Sequence, residues 1–135
     1  MQRELWSWLH DASLRVVRFE HGQVEFAVIG AFDAGPETFT SLTLLLDDVR
    51  RCAMLQLDVP GALVDEQPLS IGAELTVLTN EARGGAIRVS CDVGDEGDFG
   101  ILAVEYGDET VKTPRGDEFT GDEFCALLRS AWRLP

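Results

Sequence analysis

Short runs in which every second residue is apolar, each closed by a turn rich in glycine or aspartate, recur along this chain and point to an antiparallel sheet. Val24, Phe26 and Val28 alternate with Glu25 and Ala27, which places the three large apolar side chains on one face of a strand. Residues 13–20 precede that run across Glu20-His21-Gly22, so the two form a hairpin. Leu42, Leu44 and Leu46 alternate in a third strand, after a loop containing Gly35-Pro36. The continuous apolar run over residues 49–59 reads as a strand covered on both faces or as a helical segment. Residues 60–72, with two prolines and two glycines, form a long connection. Strands follow over 75–79, 86–93, 99–106 and 109–113, the last entered through a two-residue hairpin turn at Gly107-Asp108.

Helical signals sit at the two ends. Residues 2–9 form a short helix with Leu5, Trp6 and Leu9 on one side. Near the C-terminus, Thr120 followed three residues later by Glu123 is a capping box, and Phe119 with Phe124 occupies the positions of a hydrophobic staple. Asp122 and Glu123 fall in the first turn, with Arg129 and Arg133 towards the end, as the helix dipole favours. Phe124, Leu127, Leu128 and Ala131 recur at helical spacing, giving one face for the sheet. The expected fold is α+β: a mainly antiparallel meander of about seven or eight strands, with a short N-terminal helix and a C-terminal amphipathic helix. At 135 residues, the whole chain is expected to be a single domain.

Charge narrows the partners. With 11 Lys and Arg against 24 Asp and Glu, the formal net charge is -13. Residues 1–60 carry five basic and nine acidic side chains, and residues 61–135 six and fifteen. Such a field repels phosphate backbones and anionic headgroups and speeds encounter with cationic proteins, so neither nucleic acid nor a membrane surface is expected as a partner. Acidity of this order also serves solubility alone. Cys52, Cys91 and Cys125 are far apart, lack a Cys-x-x-Cys pair and sit among apolar neighbours. They read as buried reduced thiols in a cytoplasmic protein. The N-terminus has no apolar run of signal-peptide length, and no run is long enough to span a membrane.

Two of the three tryptophans lie in Trp6-Ser7-Trp8-Leu9-His10-Asp11-Ala12, a stretch expected to pin the chain to its core. Trp8-Leu9-His10-Asp11-Ala12-Ser13-Leu14, followed by a strand, a glycine turn and the alternating Gly22-Gln23-Val24-Glu25-Phe26, resembles the start of small bacterial proteins grouped as immunity protein family 50 and its uncharacterised relatives. Leu44-Leu45-Leu46-Asp47-Asp48-Val49 matches a later apolar strand of that pattern. The resemblance covers the first third to half of the chain and stops at Pro60. It implies a protein that binds and neutralises a polymorphic toxin, and it brings no catalytic residues with it.

Candidate chemistry is sparse. Adjacent strand residues point to opposite faces, so His10 and Asp11 cooperate only at a turn. A structural role fits them better, with Asp11 accepting backbone N–H groups and His10 packed on Trp6 or Trp8. His10 and His21 would lie about 25 Å apart at the two ends of one strand, so a single metal ion cannot touch both. No cofactor and no metal site is expected. Asp92, Asp95, Glu96 and Asp98 crowd one turn without the EF-hand register. Together with Asp108 and Glu109 they are the candidate surface for a basic partner. The leading expectation is a non-enzymatic binding protein of immunity type that masks a basic toxin through this acidic surface. A structural module that self-assembles into a homo-oligomer through exposed strand edges or its aromatic end is the alternative, and a small hydrolase using scattered carboxylates is the third.

Overall fold

In the computed structural model of the chain, residues 4–34, 37–57, 64–68, 74–83, 86–93 and 98–132 are described. Strand β1 (Ser13–Glu20) turns into β2 (Gln23–Asp33) through His21 and Gly22, whose φ angles are +51° and +73°. Positive φ at both central residues is what a two-residue hairpin needs to match strand twist, and Glu20 pairs with Gln23 directly across it. The register jumps between Val16 and Arg18, so Val17 is an unpaired bulge residue that faces solvent. β3 (Thr38–Asp47) lies against β2 with Leu42, Leu44 and Leu46 buried opposite Val28, Phe26 and Val24. Apolar alternation on three consecutive strands thus builds one face of the core.

Among the described residues seven more strands follow: β4 (Arg51–Leu57), β5 (Val64–Pro68), β6 (Glu74–Arg83), β7 (Ala86–Val93), β8 (Asp98–Glu105), β9 (Asp108–Lys112) and β10 (Glu118–Thr120). All pairings are antiparallel, in the order β10-β9-β3-β2-β1-β6-β7-β8-β4-β5. The α+β antiparallel class is as the sequence predicts, with a helix at each end. Two strands were not legible. β5 lies inside the expected 60–72 connection, and β10 immediately precedes the C-terminal helix.

The expected simple meander is corrected at Gly107-Asp108. β8 and β9 are not neighbours: β8 pairs with β7 and β4, whereas β9 pairs with β3 and β10. Gly107 donates its N–H to the carbonyls of Asp47 and Asp48 at 3.0 and 3.2 Å, and a Cβ there would meet the Asp48 side chain at 2.7 Å. Close approach of two chain segments, not a positive φ, is what this glycine permits. Just beside it Arg50 donates to the Glu105 carbonyl at 2.8 Å. The ladder of β3 with β9, ending at Asp47 opposite Asp108, therefore resumes as β4 with β8 at Arg51 opposite Glu105. Both segments bend and carry on as partners. A path through β1, β2, β3, β9, back along the chain into β8, then β7 and β6, returns to β1, so the sheet closes around one core.

That core is one cluster drawing Leu14, Phe26 and Leu44 from one side and Leu75, Ile87, Leu102 and Val104 from the other. Two helices seal it. In α1 (Leu5–Trp8), Leu5 and Trp6 are buried, as is Leu9 just after it. In α2 (Gly121–Trp132), Phe124 sits within 6.1–6.4 Å of the rings of Phe32, Phe39 and Phe119. The capping box is made: Thr120 N–H donates to Glu123 Oε1 at 2.9 Å, and Glu123 N–H to Thr120 Oγ1 at 3.1 Å. Arg133 lies outside the described residues. No helix among the described residues is long and apolar enough to cross a membrane.

Candidate functional site

The aromatic start of the chain resolves into two separate networks. Trp6 is fully buried, and its Nε1–H donates to the Tyr106 hydroxyl at 2.9 Å. That hydroxyl in turn donates to Glu109 Oε1. Glu109 also lies under the first turn of α2, where a Cβ on Gly121 would fall 1.7 Å from Glu109 Oε2. Trp8 is half-buried and donates to Glu4 Oε2 at 3.1 Å. Glu4 pairs with Arg129, whose Nη1 reaches Oε2 at 2.6 Å. The Trp8 hydrogen bond first, then the Arg129 charge, hold the Glu4 carboxyl below its ordinary value.

His10 and Asp11 do meet, with Nδ1 and Oδ2 3.0 Å apart, because Asp11 adopts a left-handed φ of +67°. Both are exposed, which corrects the expectation that His10 packs on an indole. The structural link runs through the backbone instead. Asp11 N–H donates to the Val77 carbonyl at 2.8 Å and Val77 N–H to the Ala12 carbonyl at 2.9 Å, so this step ties β1 to β6. Burial pushes the Cys52 thiol up to about 12, and burial assisted by the nearby Glu4 and Glu109 charges does the same for Cys125. Neither is a thiolate nucleophile near neutral pH. Among the described residues no group of three or more His, Cys, Asp or Glu side chains could hold a metal ion.

Of the acidic residues singled out from sequence, the described ones fall at two places along the backbone. Asp92 and Asp98 flank the β7–β8 connection, where Val93 pairs with Asp98, while Asp95 and Glu96 lie outside the described residues. Asp108 opens β9, just beyond the far end of β8, which lies about 23 Å from Asp98 along an extended strand. Glu109, half-buried, accepts a hydrogen bond from the Tyr106 hydroxyl.

Around Asp108 a different group assembles. Asp47 stands directly opposite it across the β3–β9 ladder, and exposed Asp48 follows with φ +54°. The β1–β2 turn closes in, since Val49 N–H donates to the Gly22 carbonyl at 2.9 Å, bringing Glu20 and His21 to the same pole. Like charges directly opposite on a sheet face are destabilising. They are offset here in part, as Gln23 Nε2 donates to Asp47 Oδ1 at 2.6 Å and Arg50 pairs with Asp48 at 2.9 Å. In sequence, Asp47-Asp48 marks the break between the Leu42–Leu46 alternation and the apolar run that begins at Val49. Its meeting with Asp108 depends on the crossing of β8 into β9, which no local pattern encodes. No protein-family model matches the chain, and neither does any curated protein or solved structure.

Proposed function

We propose that this is a non-enzymatic bacterial binding protein of immunity type, which masks a basic protein such as a toxin through the pole formed by Asp47, Asp48 and Asp108. The observation that carries the reading is the cross-strand opposition of Asp47 and Asp108 beside exposed Asp48. A chain that holds two like charges face to face loses stability there, and a cationic side chain placed between them recovers it. The net charge of -13 supports the sign of the partner. The resemblance in Trp8-Leu9-His10-Asp11-Ala12-Ser13-Leu14 supports its class. Free buried thiols at Cys52 and Cys125 fit action in a reducing cytoplasm.

The test is affinity capture with the whole protein and with an Asp47→Asn, Asp48→Asn, Asp108→Asn triple variant, the captured proteins being identified at rising salt. A basic protein retained by the wild type, released by salt and not retained by the triple variant is the expected result. Equal capture of that protein by both forms overturns the assignment to this pole.

A further inference from the structure

Beyond Ile29, β2 parts from β1, because their ladder ends where Ile29 meets Ser13. Its ladder with β3 passes from Ile29 opposite Ser41 to Phe32 opposite Phe39, so Gly30 and Ala31 together face Thr40 as a bulge. A bulge bends its strand and re-aims the side chains beside it. Phe32 turns into the core, where it is 3% exposed and stands edge-on to Phe124 with ring centroids 6.4 Å apart. Asp33, the next residue, is exposed.

A cleft of about 210 Å³ lies between this end of β2 and the two helices, lined by Ser7, Trp8, Ala31, Phe32, Asp33 and Leu128. Phe32 and Leu128 belong to the core, and half-buried Trp8 adds an indole. That indole is fixed, since its Nε1–H donates to Glu4 at 3.1 Å and Glu4 in turn meets Arg129. Donation to a carboxylate polarises the ring and leaves its face more electron-rich. Glu4 and Arg129 balance each other in charge. Among the described residues that line the cleft, Asp33 alone is charged, so it sets the sign of the site.

We propose that this cleft binds a small alkylammonium ion, its charge beside the Asp33 carboxylate and the Trp8 ring and its methyl groups against Phe32 and Leu128. An aromatic ring attracts a cation through its quadrupole, and a carboxylate at the same site adds to that attraction. A neutral apolar ligand fills the same space but desolvates Asp33 without returning a partner to it. An anion is repelled by Asp33 and by the whole-chain charge of -13, which also raises the local concentration of cations. The volume is below the roughly 300 Å³ at which sites for drug-sized ligands begin, so the occupant is of the size of choline. The cleft lies about 30 Å along β2 from Gln23, so this inference is independent of the acidic pole.

The experiment titrates choline, and separately 3,3-dimethyl-1-butanol as its uncharged counterpart of the same shape, into the whole nitrogen-15-labelled protein at constant chloride. Saturable shifts of the Trp8 indole N–H and of the Ala31 to Asp33 amides are expected with choline, and the alcohol is expected to bind about threefold or more weakly. Asp33→Asn keeps the shape of the site and removes its charge, so it is expected to weaken choline by about threefold or more and to leave the alcohol unchanged. Trp8→Leu keeps an apolar wall without a ring face and is expected to weaken choline by a similar factor. If Trp8→Leu fails to fold by circular dichroism, the Asp33→Asn variant decides. Equal affinity for choline and the alcohol overturns the proposal, as does the lack of any saturable shift up to about 50 mM choline. Shifts confined to Asp47, Asp48 and Asp108 place the cation on the acidic pole and likewise overturn it.

Discussion

Trp6 and Trp8 stand two residues apart on one short helix, and each indole N–H begins a chain that ends on a glutamate. Trp6 reaches Glu109 through the Tyr106 hydroxyl, a chain that starts in the core and ends on a half-buried carboxylate. Trp8 reaches Glu4 directly, and Glu4 meets Arg129 where water has access to all three. In a dry interior the loss of one partner leaves a polar group unsatisfied, whereas at the surface water replaces it. Near-identical chemistry is therefore expected to carry unequal weight, and α2 allows a direct comparison because Gly121 touches the first network and Arg129 the second.

The largest effect falls on the interior chain. Trp6→Ala is expected to cost about 3–5 kcal/mol in chemical denaturation, because it removes a fully buried ring as well as a donor. Trp6→Phe keeps most of the ring and isolates the polar part, at about 1–3 kcal/mol. A Trp6→Phe protein as stable as the wild type would erase the distinction between the two networks.

Gly121→Ala comes next, at about 1–3 kcal/mol, since its methyl needs the space of the Glu109 carboxylate. Normally a side-chain end yields cheaply. Here Tyr106 holds it, so the cost reflects the network. In a Glu109→Ala background the same substitution is expected to be nearly neutral, and the double-mutant cycle reads that coupling. Additive losses would show that the two positions act independently.

Thr120→Ala removes one side of the capping box and is expected to cost about 1 kcal/mol. The first turn of α2 covers Glu109, so its amides should gain exchange while those around Arg129 change little. Loosening of the whole helix would instead join the two networks into one unit.

The features legible in sequence are those set by neighbours a few residues apart. The Thr120 and Glu123 box, the His21-Gly22 hairpin and the buried face of Val24, Phe26 and Val28 all depend on local spacing. What escaped depends on distant partners. Glu109 reads as a surface acid because nothing near it reveals that Tyr106, and through it a tryptophan 100 residues earlier in the chain, claims its carboxylate. Gly107 reads as a turn glycine, whereas the crossing beside Asp48 is what excludes a side chain there. β5, Val64-Asp65-Glu66-Gln67-Pro68, carries no apolar alternation, and among the described residues its ladder is with β4 alone. The candidate pole follows the same rule, with Asp47-Asp48 adjacent in sequence but Asp108 brought to them by topology.

The smallest effect tests the exposed network through pH. Glu4 has a folded-state pKa below its ordinary value of 4.5, so the stability it contributes is fully present above that value and is lost as pH falls through the lower folded value. Trp8→Phe removes the first cause of the depression while leaving an aromatic ring in place. The stability difference between wild type and Trp8→Phe should therefore be constant from pH 7 to about 5 and shrink below about 4.5. Both partners are solvent-accessible, so the pH-dependent part should not exceed about 0.5 kcal/mol. Arg129→Ala should flatten the same acid limb, because it removes the second cause. A difference that stays constant through the acid limb would mean that Trp8 acts through packing alone, and the comparison with Trp6 would then rest on burial without the carboxylates.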